Sequence, residues 1–191
     1  PSPLSFNPIR LLCLGRFHPV KGFDVGLTAF ASLVHDFPEI RLVMAGDGPD
    51  RQKLEEQSEK LSLGNFVDFI GWIPPDQVYA LINSVSMVFM PSRSESFPIV
   101  AIQAAQMARP VVGTRVGGMQ EIVQDRETGL LVEAENFQEM AIAIRYLLEH
   151  PQTAIRFGQE AYLRVRESFG WGQHIQAYDR LYQKLIHSRR A

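Results

Sequence analysis

The chain has 191 residues, enough for one domain with a sizeable core. Its mixed composition and its net charge of −2 argue against a general nucleic-acid binder. No stretch approaches the ~20 consecutive apolar residues of a membrane-spanning helix, and the amino terminus lacks the basic and apolar regions of a signal peptide. The single cysteine, Cys13, lies in the apolar run IRLLCLG, so we expect a small buried side chain in a reducing compartment. These features predict a cytoplasmic protein with no membrane segment and no nucleic-acid partner.

The first eight residues contain three prolines, which is typical of a linker. We therefore predict a linker over residues 1–8 and a folded domain over residues 9–188, with C-terminal helices from about residue 137. Because the chain begins with Pro1 and not with methionine, we also expect a fragment of a longer protein.

Short apolar runs alternate with longer amphipathic stretches, and this alternation predicts βαβ units around a buried parallel sheet. Six strands are predicted, over residues 9–14, 41–45, 67–70, 87–90, 111–113 and 130–132. Helices are predicted over residues 23–37, 50–64, 76–84, 137–149, 153–168 and 173–187, with a further one after Pro98. The sequence therefore predicts a three-layer, Rossmann-like α/β fold with about six strands.

The first predicted helix connects the first two strands. Val25, Ala29, Leu33 and Phe37 recur in it at helical spacing, and we expect Pro38 to end it. This helix should pack on the sheet as a crossover.

Ligands of open α/β sheets bind at the carboxyl ends of the strands, so the loops there are the candidate site. The loop after the first strand, GRFHPVKGFD, carries Arg16 and Lys21 next to a predicted helix amino terminus. Two cations beside free N–H groups favour an anion such as a diphosphate. Two solvated cations are the alternative interpretation. The loop lacks the GxGxxG motif, which is the main sequence signal of a dinucleotide-binding site, so the sequence does not favour such a site.

Three further loops have two open interpretations each. In AGDGPD, Asp47 lies between two glycines, in a turn that is either structural or ligand-binding. In GWIPPD, Trp72 either stacks on a base or is a half-buried loop aromatic. In TRVGGMQEI, two glycines permit close backbone approach, and Glu121 either favours only the helix dipole or contacts a ligand.

The segment RSESFPIVAIQAAQ follows the fourth predicted strand. We expect Glu95 just outside a helix, facing the cleft, with Ser96 as the cap and Pro98 in the first turn. A solvated acidic residue is the alternative. Gln103 lies about two turns into an otherwise apolar helix and needs a hydrogen-bond partner. It is either a buried structural amide or a group that binds a ligand.

Several segments of the chain together resemble a known family. They are GRFHPVKG, LVMAGDGP, FIGWIP, SRSESFPIVAIQAAQMARPVV, TRVGGMQEIV, TGLLVEAEN and FGWGQHIQAYDRLYQKL. In this order they resemble the nucleotide-sugar-binding domain of the family 4 retaining glycosyltransferases, also called glycosyl transferases group 1. The resemblance runs from about Arg10 to Ile186.

The resemblance implies the C-terminal half of a two-domain GT-B-type enzyme. A separate N-terminal domain, missing from this chain, would bind the acceptor. The donor would be a UDP-, GDP- or ADP-sugar, with no further cofactor or metal required. The departing phosphate is usually described as taking the acceptor's proton in this family, so we expect His18 to have only a positional role.

The resemblance also implies residue roles by position. Arg16 and Lys21 would bind the donor's diphosphate and stabilise the negative charge that develops as it leaves. Glu95 is the first carboxylate of the family's Glu-x7-Glu motif and would hold hydroxyls of the transferred sugar. These three are the predicted catalytic residues, and Ser96 and Phe97 would contribute backbone N–H groups. The implied donor-binding residues are Arg16, Lys21, Gly46, Trp72, Ile73, Glu95, Ser96, Phe97 and Gln103.

Gln103 departs from the family pattern, in which the second glutamate accepts hydrogen bonds from the ribose. A neutral hydrogen bond contributes ~0.5–1.5 kcal/mol against ~1.5–3 kcal/mol for a charged one, so donor affinity should fall about tenfold without being abolished. Pro98 also replaces a common glycine and removes one N–H group.

We therefore expect the donor domain of a retaining glycosyltransferase that transfers a hexose to a glycan, a lipid or a small molecule. Alone, it should bind the donor without efficient turnover. Two alternatives stay open. Gln103 is compatible with a non-catalytic nucleotide-binding module, and a nucleotide-sugar epimerase has a similar overall fold, although the Glu95 segment argues against the epimerase.

Overall fold

The computed structural model describes residues 1–188, except for the side chains at positions 171, 173, 174 and 188. Its strands are β1 (Arg10–Leu14), β2 (Arg41–Ala45), β3 (Val67–Gly71), β4 (Met87–Met90), β5 (Val111–Thr114) and β6 (Gly129–Val132). They form one sheet in the order β3-β2-β1-β4-β5-β6, and all neighbours run parallel. Every strand end lies within one residue of its predicted position, so the predicted sheet is confirmed.

The helices follow the predicted order. They are α1 (Phe23–Ala31), α2 (Arg51–Lys60), α3 (Pro75–Asn83), α4 (Ile99–Gln106), α5 (Met119–Ile122), α6 (Phe137–Glu149), α7 (Pro151–Ser168) and α8 (Trp171–Ser188). The predicted end of α1 at residue 37 is wrong, because residues 32–36 form turns. Leu33 is nevertheless fully buried and Phe37 packs against the same core, so the apolar spacing continues beyond the helix.

Helices cover both faces of the sheet, as the three-layer prediction requires. Successive residues of a strand point to opposite faces. Leu11 and Cys13 accordingly pack in the core formed with α1, α2, α6 and α7, whereas Leu12 packs in the core formed with α3, α4 and α5. Burial raises the pKa of the Cys13 thiol well above its usual value, which makes this cysteine a small buried hydrophobe, as predicted.

The strand order creates a crevice between β1 and β4. The chain leaves β1 toward β2 on one side of the sheet and leaves β4 toward β5 on the other. The loops at the carboxyl ends of these two neighbouring strands therefore diverge. A crevice of this kind is where open α/β sheets bind their ligands.

The segment before β1 packs on the domain through a buried arginine that the sequence did not predict. Arg109 is only 2% exposed, and its guanidinium donates to the carbonyls of Val85 (2.8 Å), Asn83 (2.5 Å) and Ser2 (3.1 Å). Burial lowers the pKa of Arg109. That residues 1–8 also link this domain to another stays a prediction.

The last helix, α8, has large apolar side chains that are exposed. They are Ile175, Tyr178, Leu181, Tyr182, Leu185 and Ile186. Within residues 1–188, no helix combines the length and apolar character needed to cross a membrane.

Candidate functional site

The loop after β1 folds into a compact turn that presents Lys21 beside the crevice. Residues Pro19–Lys21 form one turn of 3-10 helix, and the Val20 N–H donates to His18 Nδ1 (3.3 Å). Gly22 follows with a φ of 61°, a left-handed conformation that favours glycine, and α1 begins after it. His18 thus accepts a hydrogen bond that closes the turn, and that its role is only positional stays a prediction.

Glu95, in the loop after β4, is paired with Lys21. The Lys21 Nζ lies 2.7 Å from Glu95 Oε1, and the Ser92 hydroxyl donates to the same oxygen at 2.7 Å. Glu95 is 7% exposed, so the alternative of a solvated acidic residue is wrong. Because none of the hydrogen bonds found among residues 1–188 uses Oε2, this second oxygen is available to a ligand.

Glycines bring the surrounding loops into backbone contact. A Cβ on Gly117 would lie 1.8 Å from the Glu95 carbonyl oxygen, and one on Gly118 would lie 2.4 Å from that of Ser96. The Gly118 N–H also donates to the Glu95 carbonyl (3.1 Å). The Gly-Gly pair therefore permits close approach of the Glu95 loop. Glu121 lies exposed in α5, directly beyond this contact.

In the turn AGDGPD after β2, two glycines also permit close contact between backbones. A Cβ on Gly46 would lie 1.9 Å from the Gly15 carbonyl oxygen, and one on Gly48 would lie 2.3 Å from that of Phe17. Asp47 accepts a hydrogen bond from the Gly48 N–H (2.7 Å), as in a structural turn. This turn supports the loop that carries Arg16 and Lys21, and a donor contact at Gly46 stays a prediction.

Arg16 and Trp72 are exposed near the same edge of the sheet. Arg16 lies between Gly15 and the buried Phe17, and no hydrogen bond or ion pair involves its side chain in the described part of the chain. Trp72 is 67% exposed and Ile73 is half-buried. The structure thus brings Lys21 and Glu95 into contact and leaves Arg16 and Trp72 free to meet a ligand.

The start of α4 differs from the prediction in two respects. Pro98 is the N-cap residue and precedes the first turn, because α4 begins at Ile99, and Ser96 does not cap the helix, which has no side-chain cap. Instead, the backbone N–H groups of Ser96 and Phe97 donate to no atom among residues 1–188, and Phe97 is 51% exposed. Two free N–H groups next to Glu95 can bind an anion.

Gln103 is half-buried in the second turn of α4. Its side-chain amide forms none of the hydrogen bonds observed in the described residues, so the interpretation as a buried structural amide finds no partner there. An amide that is half-buried and unpaired can bind a ligand that enters the crevice.

Sequence reasoning missed two side chains that support Glu95. Ser92 binds the carboxylate, and the Thr114 hydroxyl at the end of β5 donates to the Ser92 carbonyl (2.5 Å). Both side chains are buried. The sequence signal for these two side chains was weak. Each is a hydroxyl residue at or just after the end of an apolar strand, and serine and threonine are common at such positions.

Comparison with known proteins identifies the family. The model of the family "Glycosyl transferases group 1" matches residues 3–164. The chain belongs to this family. The chain is 33% identical over 190 residues to D-inositol 3-phosphate glycosyltransferase of Corynebacterium urealyticum, covering 96% of this chain and 44% of that protein. It is 29% identical to glycogen synthase of Mycobacterium tuberculosis, covering 86% of this chain and 40% of that protein. The chain therefore spans less than half the length of these relatives.

Solved structures of glycosyltransferases share the fold. Sucrose-phosphate synthase of Thermosynechococcus elongatus superposes with a TM-score of 0.84 at 30% identity, over 95% of this chain and 46% of that one. The Anabaena protein HepE, solved in complex with UDP, gives 0.86 at 24% identity, over 93% and 49%. The isolated C-terminal domain of LpcC from Francisella tularensis gives 0.76 at 20% identity, over 85% and 86%. The predicted fold, that of the C-terminal domain of GT-B glycosyltransferases, is confirmed.

Within this domain, the predicted site residues come from three places in the fold. Arg16 and Lys21 follow β1, Glu95 follows β4, and Gln103 lies in α4. The described residues contain no cluster of three or more His, Cys, Asp or Glu side chains that could hold a metal ion.

Proposed function

We propose that this chain is the donor domain of a glycosyltransferase and that it binds a nucleoside diphosphate sugar in the crevice between β1 and β4. The contact between Lys21 Nζ and Glu95 Oε1, at 2.7 Å, carries this proposal. This contact joins a cation that can bind a phosphate to a carboxylate that can bind sugar hydroxyls. It lies at the crevice between β1 and β4, where the direction of the strand order reverses.

The diphosphate would lie against Lys21, Arg16 and the free N–H groups of Ser96 and Phe97. An ammonium group has three N–H donors, so Lys21 can bind a phosphate oxygen while it keeps its bond to Glu95. Negative charge grows on the diphosphate as the bond to the sugar breaks. Fixed cations at that position lower the barrier, which is the catalytic role that we propose for Arg16 and Lys21.

The hexose would lie against Glu95, whose Oε2 can accept hydrogen bonds from its hydroxyls. The carboxylate would hold the anomeric carbon facing the acceptor. Retention of the anomeric configuration, as the resemblance to family 4 implies, belongs to this proposal.

The nucleoside would extend toward Trp72, Ile73, Gly46 and Gln103. We favour uridine as the nucleoside because the Anabaena protein HepE, which has the same fold, was solved with UDP and with UDP-glucose. Trp72 offers an exposed ring for base stacking, and the free amide of Gln103 suits the ribose hydroxyls.

The acceptor, whether a glycan, a lipid or a small molecule, would bind to a second, N-terminal domain. This expectation rests on length, because the chain covers only 44% of its relative from Corynebacterium urealyticum. We therefore propose that the chain alone binds the donor without efficient turnover. A cytoplasmic location also stays a prediction.

Isothermal titration calorimetry of the chain with UDP, GDP and ADP, and with their glucose conjugates, tests the proposal. We expect UDP to bind with a Kd below about 1 mM and more tightly than uridine. If none of the six ligands binds below that value, the proposal is wrong.

A non-catalytic nucleotide-binding module is the second candidate, and Gln103 is the observation that favours it. The change Gln103→Glu in the full-length protein separates the two. A rise in sugar transfer indicates an enzyme with weakened donor binding, whereas no transfer by either form indicates the module. Gln106→Glu, one turn further along α4, is the matched control. The family match favours a transferase over the epimerase alternative.

A further inference from the structure

The side chain of Arg93, two residues before Glu95, uses all of its hydrogen-bond donors. Nη1 donates to the Pro19 carbonyl (2.6 Å) and to Asp24 Oδ1 (2.8 Å), and Nη2 donates to Asp24 Oδ2 (2.7 Å) and Glu135 Oε2 (3.1 Å). Nε donates to Glu135 Oε1. A guanidinium has five N–H groups, so every one of them has a partner here.

These bonds connect three loops at the carboxyl edge of the sheet. Pro19 belongs to the turn that carries Lys21, Asp24 lies in the first turn of α1, and Glu135 lies between β6 and α6. The backbone N–H of Arg93 also donates to the carbonyl of Val20, the residue before Lys21 (2.8 Å). Arg93 therefore ties the segment that holds Glu95 to the segment that holds Lys21.

The backbone conformation of Glu135 indicates that its bonds to Arg93 hold the loop between β6 and α6 in place. Its φ is 63°, in the left-handed region that residues other than glycine seldom adopt. A strained backbone of this kind persists where surrounding contacts fix it. Here two guanidinium bonds from Arg93 hold the carboxylate.

Asp24 and Arg93 each stabilise the charged form of the other. Burial raises the pKa of Asp24, but the hydrogen bonds and charge of Arg93 outweigh it, so the pKa of Asp24 lies below its usual value. The pKa of Arg93 is raised by Asp24 and then by Glu135. Asp24 and Arg93 therefore both stay charged at neutral pH.

We propose that Arg93 is a positioning residue of the donor site, whose forked guanidinium sets the separation between Lys21 and Glu95. For its effect on donor binding, this inference rests on the proposed function. A planar fork fixes two carboxylates at defined angles, whereas a lysine at this position would supply only a point charge. Small displacements of groups that must act together are costly, about 100-fold for 1 Å in catalysis.

The first test compares UDP and uridine binding by calorimetry in Arg93→Met and Arg93→Lys. Arg145→Met is the matched control, because the Arg145 side chain is 34% exposed against 29% for Arg93 and also pairs with acidic residues, Asp36 and Glu149. We expect Arg93→Met to weaken UDP binding about tenfold relative to uridine, and Arg93→Lys to restore little of it. Arg145→Met should change neither affinity.

A second test needs no ligand. The energetic coupling between Lys21 and Glu95 is measured by a double-mutant cycle, with Lys21→Met and Glu95→Gln, from urea unfolding of the chain. The cycle is repeated in the Arg93→Met background, where we expect the coupling to be lost. A purely structural role would lower the midpoint of unfolding and leave the coupling unchanged.

The two tests fail in different ways. If UDP does not bind the unchanged chain but Arg93→Met abolishes the coupling, the proposed function is wrong and the positioning role stands. If UDP binds, and both its affinity and the coupling are unchanged in Arg93→Met, the positioning role is overturned while the proposed function stands.

Discussion

At the scale of single residues, the burial of Glu95 explains why Lys21 is in contact with it. An ionised carboxylate that is withdrawn from water is costly unless a cation and hydrogen-bond donors compensate it. Lys21 and Ser92 supply both to a single oxygen. The same pairing holds the lysine at the crevice, so one contact serves stability and places a charge for a ligand.

The change Lys21→Ala tests the role of this cation. A hydrogen bond to a charged group contributes ~1.5–3 kcal/mol, so the Kd for UDP should rise roughly 10- to 150-fold. The Kd for uridine, which has no phosphate, should change less than about threefold. Calorimetry with both ligands measures the difference. Lys60→Ala, at the exposed end of α2, is the matched control, and equal losses for UDP and uridine would contradict the assignment.

At single residues, the sequence predicted a common site for a lone carboxylate before an apolar helix and a lysine in a Gly- and Pro-bounded loop. The structure places Glu95 and Lys21 in contact, and their binding of a donor stays a prediction. Ser92 was missed although Glu95 is only three residues away, because a serine in a loop is a weak signal. Arg93 was missed because its partners lie in other loops, up to 74 residues away for Pro19. Such partners depend on how the loops pack, which local sequence does not encode.

At the scale of elements, the site is an assembly of loops held at backbone contact distance. Gly22 approaches the Pro91 carbonyl, so that a Cβ would lie 2.0 Å from its oxygen, and Gly117 approaches that of Glu95. Both glycines also have a positive φ, of 61° and 45°. The loops after β1, β4 and β5 therefore form one packed unit at the end of the sheet.

The change Gly117→Ala tests this packing. A side chain there adopts a strained φ and meets the Glu95 carbonyl, so we expect a loss of about 1–3 kcal/mol in the free energy of unfolding, together with weaker UDP binding. Urea unfolding and calorimetry measure the two effects. Gly64→Ala is the control, because a Cβ on Gly64 would have no atom within 4 Å. Equal stability of the two variants would show that the loops are not packed as described.

Among the elements, the strands were predicted best. Most of them are short, buried apolar runs, and the limits of all six followed from the sequence within one residue. The end of α1 was misplaced because Leu33 and Phe37 keep a helical spacing while the backbone between them turns. The packing of residues 1–8 escaped prediction because its partners are distant in sequence, among them Arg109, a residue type that is seldom buried.

At the scale of the whole molecule, the fold and family are shown by two independent comparisons. The family model covers residues 3–164, and sucrose-phosphate synthase of Thermosynechococcus elongatus shares the fold at 30% identity. The alternation of apolar runs was sufficient to predict the α/β class. The characteristic segments, taken in chain order, were sufficient to predict the family.

The most direct measurement of the central claim is a crystal structure of the chain with UDP-glucose bound. The account predicts a diphosphate oxygen at hydrogen-bond distance, about 3 Å, from Lys21 Nζ, and the glucose hydroxyls against the Glu95 carboxylate. A diphosphate bound elsewhere, or a sugar turned away from Glu95 into another cavity, would contradict it.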